Sequence, residues 1–312
     1  MKKKLSAVLL AGGESTRFWP LHDKNTFLFL GKPFLFWHYR QLVQSGIEKC
    51  IVVANENTQD EIHSVSVPEG MNVTYVVQKG QGMGHAVAAL DGFLSEDPIL
   101  ILNASDYYSD KLITSFVQKV QGEKTMILGA VRLSHYFPGG YLRFNEDKSV
   151  AEIIEKPPKG KEPSDVGRIV ADYFPNASAI IDAVKKAGDN PINGYENAIS
   201  SVIKKGQSCS ADITESSNWL PMKYPWHVLA VMNIVFCFIK NQQIHTSVEK
   251  RENVVIEGPV IIEEGVKIFE GTKIVGPAYI GKNTVIGNHN IFRKSSIGSG
   301  CVTGFHTDIT RS

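Results

Sequence analysis

The sequence has few cysteines and no excess of charge of one sign. Four cysteines, at positions 50, 209, 237 and 301, are spread over 312 residues without a C-x-x-C pair, which argues against a zinc site, a redox motif and a disulfide scaffold. The 33 Lys and Arg residues are matched by 32 Asp and Glu, so no overall field attracts nucleic acid or an anionic membrane. We therefore expect reduced, mostly buried thiols in a cytoplasmic protein that binds any phosphate locally.

Long hydrophobic runs are also missing. The nearly apolar run Val228 to Ile239 has only 12 residues, whereas about 20 are needed to span a bilayer. The basic and apolar start, Met1 to Ala11, lacks the small-x-small cleavage pattern of a secretory signal. We predict a buried helix for the first segment, no leader in the second, and no membrane partner.

Near the C-terminal end, large apolar residues recur every six positions, whereas short antiparallel strands would alternate with a period of two. This period is typical of the hexapeptide repeat of a parallel β-helix, whose coils stack apolar side chains in a central column. After the seventh repeat the phase slips by one, to Ile297 and Ile309. The seven residues in phase are Ile256, Ile262, Ile268, Ile274, Ile280, Ile286 and Phe292.

The first 240 or so residues alternate short apolar runs with segments of helical spacing. This order predicts βαβ units, and hence an α/β domain with a mostly parallel sheet that binds ligands at the carboxyl ends of its strands. The apolar runs are Leu5 to Leu10, Cys50 to Ala54, Val73 to Val77, Ile99 to Leu102 and Met126 to Val131. The helical segments are Phe34 to Ser45, Gly84 to Phe93 and Lys111 to Val120.

After Gly140 the pattern changes to strand-like runs, which predict an inserted mixed sheet over the mouth of the cleft. These runs are Tyr141 to Phe144, Val150 to Ile154 and Ile169 to Phe174. The polar segment Gln242 to Arg251 predicts a domain boundary, giving domains of residues 1–243 and 244–312.

The first apolar run leads directly into Ala11-Gly12-Gly13-Glu14-Ser15-Thr16-Arg17. Glycines after a strand let backbone N–H groups approach an anion, and Arg17 adds a guanidinium for phosphate oxygens. The loop lacks both the G-K-[ST] ending of a Walker loop and the G-x-G-x-x-G spacing of a dinucleotide fold. Taken alone, it is better explained as a structural turn.

Several later segments join this loop in one pattern. They are AVLLAGGESTRFWPL, Lys24, Gly31-Lys32-Pro33, Gln78 to Ala86, Asn103 to Asp106, Gly140-Tyr141, Glu155-Lys156-Pro157 and Tyr195-Glu196. Together they resemble the sugar-1-phosphate nucleotidyltransferases, which make nucleoside-diphosphate sugars, and Tyr224-Pro225-Trp226 with the hexapeptide tail resembles the archaeal-type members. The resemblance covers essentially the whole chain and implies a Rossmann-like nucleotidyltransferase domain followed by a short left-handed parallel β-helix.

The resemblance implies that an anionic oxygen of a sugar 1-phosphate attacks the α-phosphorus of a nucleoside triphosphate while pyrophosphate leaves. It also implies residue roles, although taken singly the two lysines resemble surface lysines and Asp106 a turn residue. The implied catalytic residues are Arg17, Lys24 and Asp106, the last holding Mg²⁺. The implied nucleotide-binding residues are Ala11, Gly12, Gly13, Thr16, Gln78, Gly82 and Gly84, with Gln78 on the base. The implied sugar-phosphate-binding residues are Gly140, Glu155, Lys156 and Glu196.

The chain departs from the family pattern at four places. Ser15 replaces a glycine, so its backbone must avoid a positive φ or accept strain. Asp23 replaces a proline and puts an acid beside Lys24. Asp172, in Val170 to Phe174, stands where the sugar-side segment has a close-approach glycine. Pro221 stands where a second metal-binding aspartate is expected.

These departures leave three hypotheses open. The first is an active sugar nucleotidyltransferase, and the second is a nucleotide- or nucleotide-sugar-binding homologue that has lost catalysis and acts as a regulatory or partner subunit. The third is an acyltransferase that uses the β-helix, although about three coils are few for an acyl-CoA site.

The substrate is predicted only by class. Similarity to β-helix-bearing members favours UTP or dTTP with a glucose or N-acetylglucosamine 1-phosphate. Phe18-Trp19-Pro20 also occurs in mannose-1-phosphate guanylyltransferases, which keeps GTP as an alternative. An exposed terminal coil predicts either a homo-oligomer or further chain after Ser312.

Overall fold

The computed structural model describes residues 4–21, 23–187 and 194–312. The chain divides into two compact units. The first comprises Leu35–Pro221 with the residues up to Thr26, and the second comprises Met222–Ser312 with the short segment Phe27–Phe34. The boundary predicted at residue 243 lies within the first β-helix strand, Gln242–Ile244, and the division of the chain into domains 1–243 and 244–312 stays a prediction.

The predicted runs coincide closely with strands and helices of the structure, which also contains elements that the sequence analysis did not predict. The strands up to residue 221 are β1 (Ser6–Leu10), β2 (Leu28–Phe29), β3 (Lys32–Pro33), β4 (Lys49–Ala54), β5 (Asn72–Val77), β6 (Ile99–Asn103), β7 (Asp106–Tyr108), β8 (Met126–Arg132), β9 (Gly140–Phe144), β10 (Val150–Glu155), β11 (Val166–Phe174), β12 (Cys209–Thr214) and β13 (Trp219–Pro221). The helices are α1 (Phe34–Gln44), α2 (Gln59–His63), α3 (Met83–Ala88), α4 (Asp110–Val120), α5 (Ala177–Ala187), α6 (Gly194–Lys204) and α7 (His227–Val235). The helix predicted to reach Phe93 is shorter than expected, because a turn with Gly92 at φ +82° follows α3.

A mixed sheet with a parallel centre forms the first unit. Its order is β10-β9-β11-β6-β1-β4-β5, with β8 paired to β11 and β12 paired to β8. β1 is parallel to both β4 and β6, as predicted. The prediction of a separate inserted sheet is wrong, because the nine-residue β11 pairs antiparallel with β6, Ala171 opposite Leu102, and so joins the later strands to the same sheet.

The central parallel strands β1, β4 and β6 are mostly apolar because both faces of the sheet are covered there. All five residues of β1 are buried. Val8 and Leu10 belong to one hydrophobic core, and Ala7 and Leu9 belong to another. Side chains alternate between the faces of a strand, so a strand that is covered on both faces is mostly apolar on both.

In the second unit, stacked parallel strands form three four-stranded sheets. Partners lie 18 residues apart, as in Ile244, Ile262 and Ile280, and the phase slip is absorbed where Ile280 pairs with Ile297. This is a parallel β-helix, consistent with the left-handed form that the resemblance implies. The strands are β14 (Gln242–Ile244), β15 (Glu249–Lys250), β16 (Val255–Glu257), β17 (Val260–Ile262), β18 (Lys267–Ile268), β19 (Lys273–Val275), β20 (Ala278–Ile280), β21 (Val285–Ile286), β22 (Ile291–Arg293), β23 (Ser296–Ile297), β24 (Val302–Thr303) and β25 (Asp308–Thr310).

The hexapeptide residues form the column that their spacing predicts. From Ile262 through Phe292 they are buried, and Ile256 and Ile309 pack against the ends of the same core. Each coil must also turn at a corner with a positive φ. At one corner Gly265, Asn283 and Gly300 take this conformation in successive coils, which glycine and asparagine adopt more readily than other residues.

Two predictions about burial are only partly correct. Helix α7 buries Val231, Met232 and Val235, but Leu229 is 51% exposed, so the apolar run is a one-sided helix. Cys50 and Cys209 are buried, whereas the other two cysteines are exposed. None of the helices in the described residues has the length and apolar character needed to cross a membrane.

Candidate active site

Two predicted nucleotide-binding segments and one residue that was not predicted follow the parallel strands β1, β4 and β5 of the central sheet. The glycine-rich loop follows β1, Asn55 follows β4, and Gln78 follows β5. Because the carboxyl ends of parallel strands meet at one edge, these segments lie together. Asn55 Nδ2 donates to the Gly12 carbonyl oxygen (3.1 Å), and Asn25 Nδ2 donates to that of Ala11 (3.2 Å). The sequence analysis missed both asparagines, although Asn55 stands at a strand end where ligand-facing residues are expected.

A cavity of 140 Å³ opens between these loops. Gln78 is 4% exposed, and its Nε2 donates to the Gly80 carbonyl oxygen (2.8 Å). A Cβ added to Gly12 would lie 2.1 Å from Gln78 Oε1, so only glycine allows this amide to sit against the loop. The lining residues are Leu10, Gly12, Gly13, Gln78, Gly82, Met83, Ala86, Asn103 and Ser105.

Other predicted nucleotide-binding residues lie beside this cavity rather than among its lining residues. Thr16 and Arg17 are exposed on a 3-10 turn, Thr16–Phe18, that follows the loop. Gly84 lies within α3, and a Cβ added there would meet the backbone of Gly194 and Tyr195 at 3.5 Å. This distance is an ordinary van der Waals contact, so the packing of α3 against α6 does not require glycine at position 84, and its contact with nucleotide stays a prediction.

The departures at Ser15 and Asp23 contact each other. Ser15 has φ +52°, so it takes the strained alternative that the sequence analysis left open. Its hydroxyl donates to Asp23 Oδ2 (2.8 Å), while Asp23 Oδ1 accepts from the backbone N–H of Asn25 (2.7 Å). Asp23 is 7% exposed, so this carboxylate is part of the loop's internal hydrogen bonding.

Asp106 begins β7, just after the end of β6, and is 5% exposed. Its Oδ1 accepts from Asn103 Nδ2 (3.1 Å), and its Oδ2 accepts from Trp219 Nε1 (2.9 Å). Pro221 pairs directly opposite Asp106 in the β7–β13 ladder. The fold therefore places the expected second metal-ligand position beside Asp106, but proline offers no side-chain oxygen there.

The donor set at Asp106 fits a Mg²⁺ ion that arrives with phosphate. Among the described residues, no group of three or more His, Cys, Asp or Glu side chains could hold a metal. Mg²⁺ commonly uses one or two carboxylates together with substrate phosphates and water. Hydrogen bonds from neutral donors, such as Asn103 and Trp219 here, orient a ligating carboxylate without removing its charge.

The predicted sugar-side residues come together on β9, β10 and α6. Gly140 pairs with Glu155, and a Cβ on this glycine would lie 3.0 Å from Glu155 Oε2. Lys156 Nζ lies 3.5 Å from Glu155 Oε1, and the Lys156 N–H donates to the Gly139 carbonyl oxygen (3.0 Å). Lys156 is exposed with φ +46°, so its ammonium group stands at the surface beside a carboxylate.

A buried ionic cluster lies behind these residues and was missed by the sequence analysis. Arg168 Nη1 donates to Glu196 Oε1 (3.2 Å), and its Nη2 donates to Asp172 Oδ2. The Tyr195 hydroxyl also donates to Asp172 Oδ2 (2.9 Å). Arg168 and Asp172 lie four residues apart on β11 and so project from one face, which is the sequence signal that could have revealed the pair.

The cluster links the two halves of the predicted sugar site. A Cβ added to Gly140 would lie 3.6 Å from the Cβ of Arg168, and the Arg168 guanidinium donates a hydrogen bond to Glu196. Burial raises the pKa of Asp172 to about 6 despite the neighbouring guanidinium, and burial also raises the pKa of Glu196. Asp172 therefore fills the position of the close-approach glycine with a buried carboxylate.

Comparison with known proteins agrees with this geometry. Residues 6–220, more than half of the chain, match the family described as Nucleotidyl transferase. A relative from Haloferax volcanii, named UTP–glucose-1-phosphate uridylyltransferase AglF, is 26% identical over 66% of this chain and 87% of its own. The bifunctional protein GlmU of Acetivibrio thermocellus is 26% identical over 69% of this chain, and the match spans 48% of GlmU.

Solved structures show the same fold. The UTP-bound UGPase of Acinetobacter baumannii superposes with a TM-score of 0.62 at 19% identity, covering 74% of this chain and 93% of its own. A UDP-glucose pyrophosphorylase in complex with UDP-glucose superposes with a TM-score of 0.63 at 16% identity, covering 75% and 98%. With the family match and the loops at the strand ends, the chain belongs to the nucleotidyl transferase family, which confirms the resemblance to the sugar-1-phosphate nucleotidyltransferases.

Proposed function

We propose that the chain joins a nucleoside triphosphate, UTP or dTTP, to a hexose 1-phosphate of the glucose or N-acetylglucosamine type. An oxygen of the sugar phosphate bonds to the α-phosphorus, the bond to the β-phosphate oxygen breaks, and pyrophosphate leaves. The observation that carries the proposal is the cavity between the glycine-rich loop and Gln78, with Asp106 at the adjacent strand end. The H. volcanii relative, by its name, uses UTP and glucose 1-phosphate.

The nucleophile in this reaction is already an anion, so alignment and charge neutralisation matter more than proton removal. The N–H groups of the loop at Gly12 and Gly13 would approach the triphosphate. Arg17 would bind its β- and γ-phosphates, and Lys24 would reach towards the α-phosphate. Gln78, fixed by its bond to Gly80, would present its amide to the edge of the base.

Asp106 would hold Mg²⁺ together with phosphate oxygens. The ion, when bound, neutralises charge on the phosphates. The carboxylate is kept in place by Asn103 and Trp219, so it needs little rearrangement to serve as a ligand.

On the sugar side, Lys156 would bind the phosphate, and Glu155, Glu196 and the backbone at Gly140 would accept hydrogen bonds from sugar hydroxyls. Arg168 orients Glu196 by donating a hydrogen bond to its Oε1. We also propose that the protein acts in the cytoplasm, as a homo-oligomer.

Pyrophosphate release tests the proposed reaction. The full chain would be incubated with Mg²⁺, each of UTP, dTTP, GTP, CTP and ATP, and a mixture of hexose 1-phosphates. We expect release with UTP or dTTP, and loss of at least about a hundredfold in Asp106→Asn and Arg17→Ala. Asp60→Asn, which changes an exposed acid on α2, is the matched control. Release with GTP alone would instead identify a guanylyltransferase.

A second candidate function is nucleotide or nucleotide-sugar binding without catalysis. Pro221 opposite Asp106 favours it, because one ligand of a two-carboxylate metal site is missing. Thermal shift with the same nucleotides separates the candidates. Stabilisation without pyrophosphate release from any pair would favour the binding homologue. If no nucleotide stabilises the protein and no pair releases pyrophosphate, both candidates are rejected.

A further inference from the structure

Two of the departures from the family pattern form one connected unit. The backbone N–H of Lys24 donates to Ser15 Oγ (3.3 Å), and Ser15 Oγ in turn donates to Asp23 Oδ2 (2.8 Å). The other oxygen of Asp23 accepts from the Asn25 N–H (2.7 Å). These bonds join the end of the glycine-rich loop to the segment that carries Lys24, and Arg17 lies between the two ends.

The same unit explains how serine occupies a position suited to glycine. At φ +52° a serine is disfavoured by its Cβ, whereas glycine adopts this conformation readily. A hydrogen bond to a buried carboxylate offsets that disadvantage, since bonds to charged groups are stronger than neutral ones. Asp23 therefore stabilises the backbone conformation of Ser15, a role that its position beside Lys24 did not indicate.

We propose that Asp23 and Ser15 are a coupled pair of positioning residues that hold Arg17 and Lys24 for the triphosphate. The inference rests on the proposed function for its ligand, while the coupling of the pair is a property of the free protein. Coupling means that Ser15 needs Asp23 to keep its backbone conformation. When Asp23 is removed, glycine at position 15 should therefore keep the loop conformation better than serine does.

The test compares the full chain with Asp23→Ala, Ser15→Ala, Ser15→Gly and the double variant Ser15→Gly/Asp23→Ala. Isothermal titration with UTP and with dTTP, each with Mg²⁺, measures binding. We expect Asp23→Ala and Ser15→Ala each to weaken binding by about tenfold, as for one lost hydrogen bond to a charged group. Ser15→Ala keeps a Cβ at φ +52°, so it should bind the nucleotides more weakly than Ser15→Gly does.

The decisive variant is the double one. We expect Ser15→Gly/Asp23→Ala to recover part of the affinity that Asp23→Ala loses, because glycine holds the loop conformation unaided. A double variant that binds as weakly as Asp23→Ala, or more weakly, overturns the coupling. Asp60→Asn controls for loss of an acid outside the loop.

Hydrogen exchange of the amides of residues 12–19, 23 and 24 gives a readout without ligand. Exchange should accelerate in Asp23→Ala and slow again in the double variant, while amides of the β-helix stay unchanged. Unaltered exchange in Asp23→Ala rejects the proposal. If the unmodified protein binds no nucleotide, the proposed function fails, and the exchange measurement still decides whether the pair is coupled.

Discussion

Gly12 and Gly13 are neighbours in the loop, but their surroundings differ. A Cβ on Gly12 would overlap Gln78 Oε1 at 2.1 Å, whereas a Cβ on Gly13 would meet nothing within 4 Å. We expect Gly12→Ala to lower the free energy of unfolding by about 1–3 kcal/mol through overpacking, and Gly13→Ala to change it little. Urea denaturation of both variants checks this prediction, and equal effects would contradict it.

Pro221 allows a prediction of gained function. Because it pairs opposite Asp106, Pro221→Asp should supply the missing carboxylate. We expect the Mg²⁺ concentration for half-maximal pyrophosphate release to fall by about tenfold, within the range that altered metal-site residues produce. Pro221→Asn is the matched control, since it also restores a backbone N–H but adds no charge. The prediction is wrong if the two variants respond to Mg²⁺ alike.

At the scale of elements, α1 carries a buried histidine against the loop that precedes β7. His38 is 2% exposed, and its Nε2 donates to the Ala104 carbonyl oxygen (3.0 Å). Burial lowers the pKa of His38 to about 4. Since the unfolded chain protonates this group near pH 6.5, it binds more protons than the folded chain between pH 6.5 and 4, and stability falls as pH falls through that window.

We expect His38 to account for a loss of about 3 kcal/mol in the free energy of unfolding between pH 7 and pH 4. Asp172 acts in the opposite direction, because its pKa is raised to about 6 and the folded chain therefore binds its proton first. His38→Gln keeps an amide donor and should be less acid-sensitive than the unmodified protein. Urea denaturation at pH 7 and pH 4 measures the difference, and parallel losses in both proteins would refute the assignment.

For the whole molecule, the end of the β-helix predicts self-association. Among the described residues, β23, β24 and β25 each pair with a strand on one side only. Val302 is 77% exposed and Phe305 is 76% exposed beside this edge. Unpaired strand edges with apolar side chains favour pairing with another chain.

We expect the thermal unfolding midpoint to rise with protein concentration, as it does for proteins stabilised by association. Val302→Lys/Phe305→Lys should remove that dependence and shift the sedimentation profile to the monomer. Val67→Lys changes an exposed apolar residue of the first unit and serves as control. A monomer at every concentration would show that this edge does not mediate self-association.

The larger elements were predictable because their signals are local. The period of six identified the β-helix coils, since each coil repeats the same contact with its neighbour. The apolar runs identified the parallel strands, whereas the loop, Gln78 and Asp106 were identified through the resemblance to the sugar-1-phosphate nucleotidyltransferases. The assignment of β9, β10 and β11 to the main sheet was not predictable, because it depends on which strand edge β11 meets.

The sequence by itself determined the fold class, the repeat and most of the residues at the strand ends. Only the tertiary structure decided that Asp23 bonds Ser15, that Arg168 joins Asp172 to Glu196, and that Pro221 lies opposite Asp106. Periodicity and composition indicate which residues are buried and which contact their neighbours in sequence. Pairings across loops and strands depend on where separate segments pack, and a carboxylate acquires its role from the donor that it meets there.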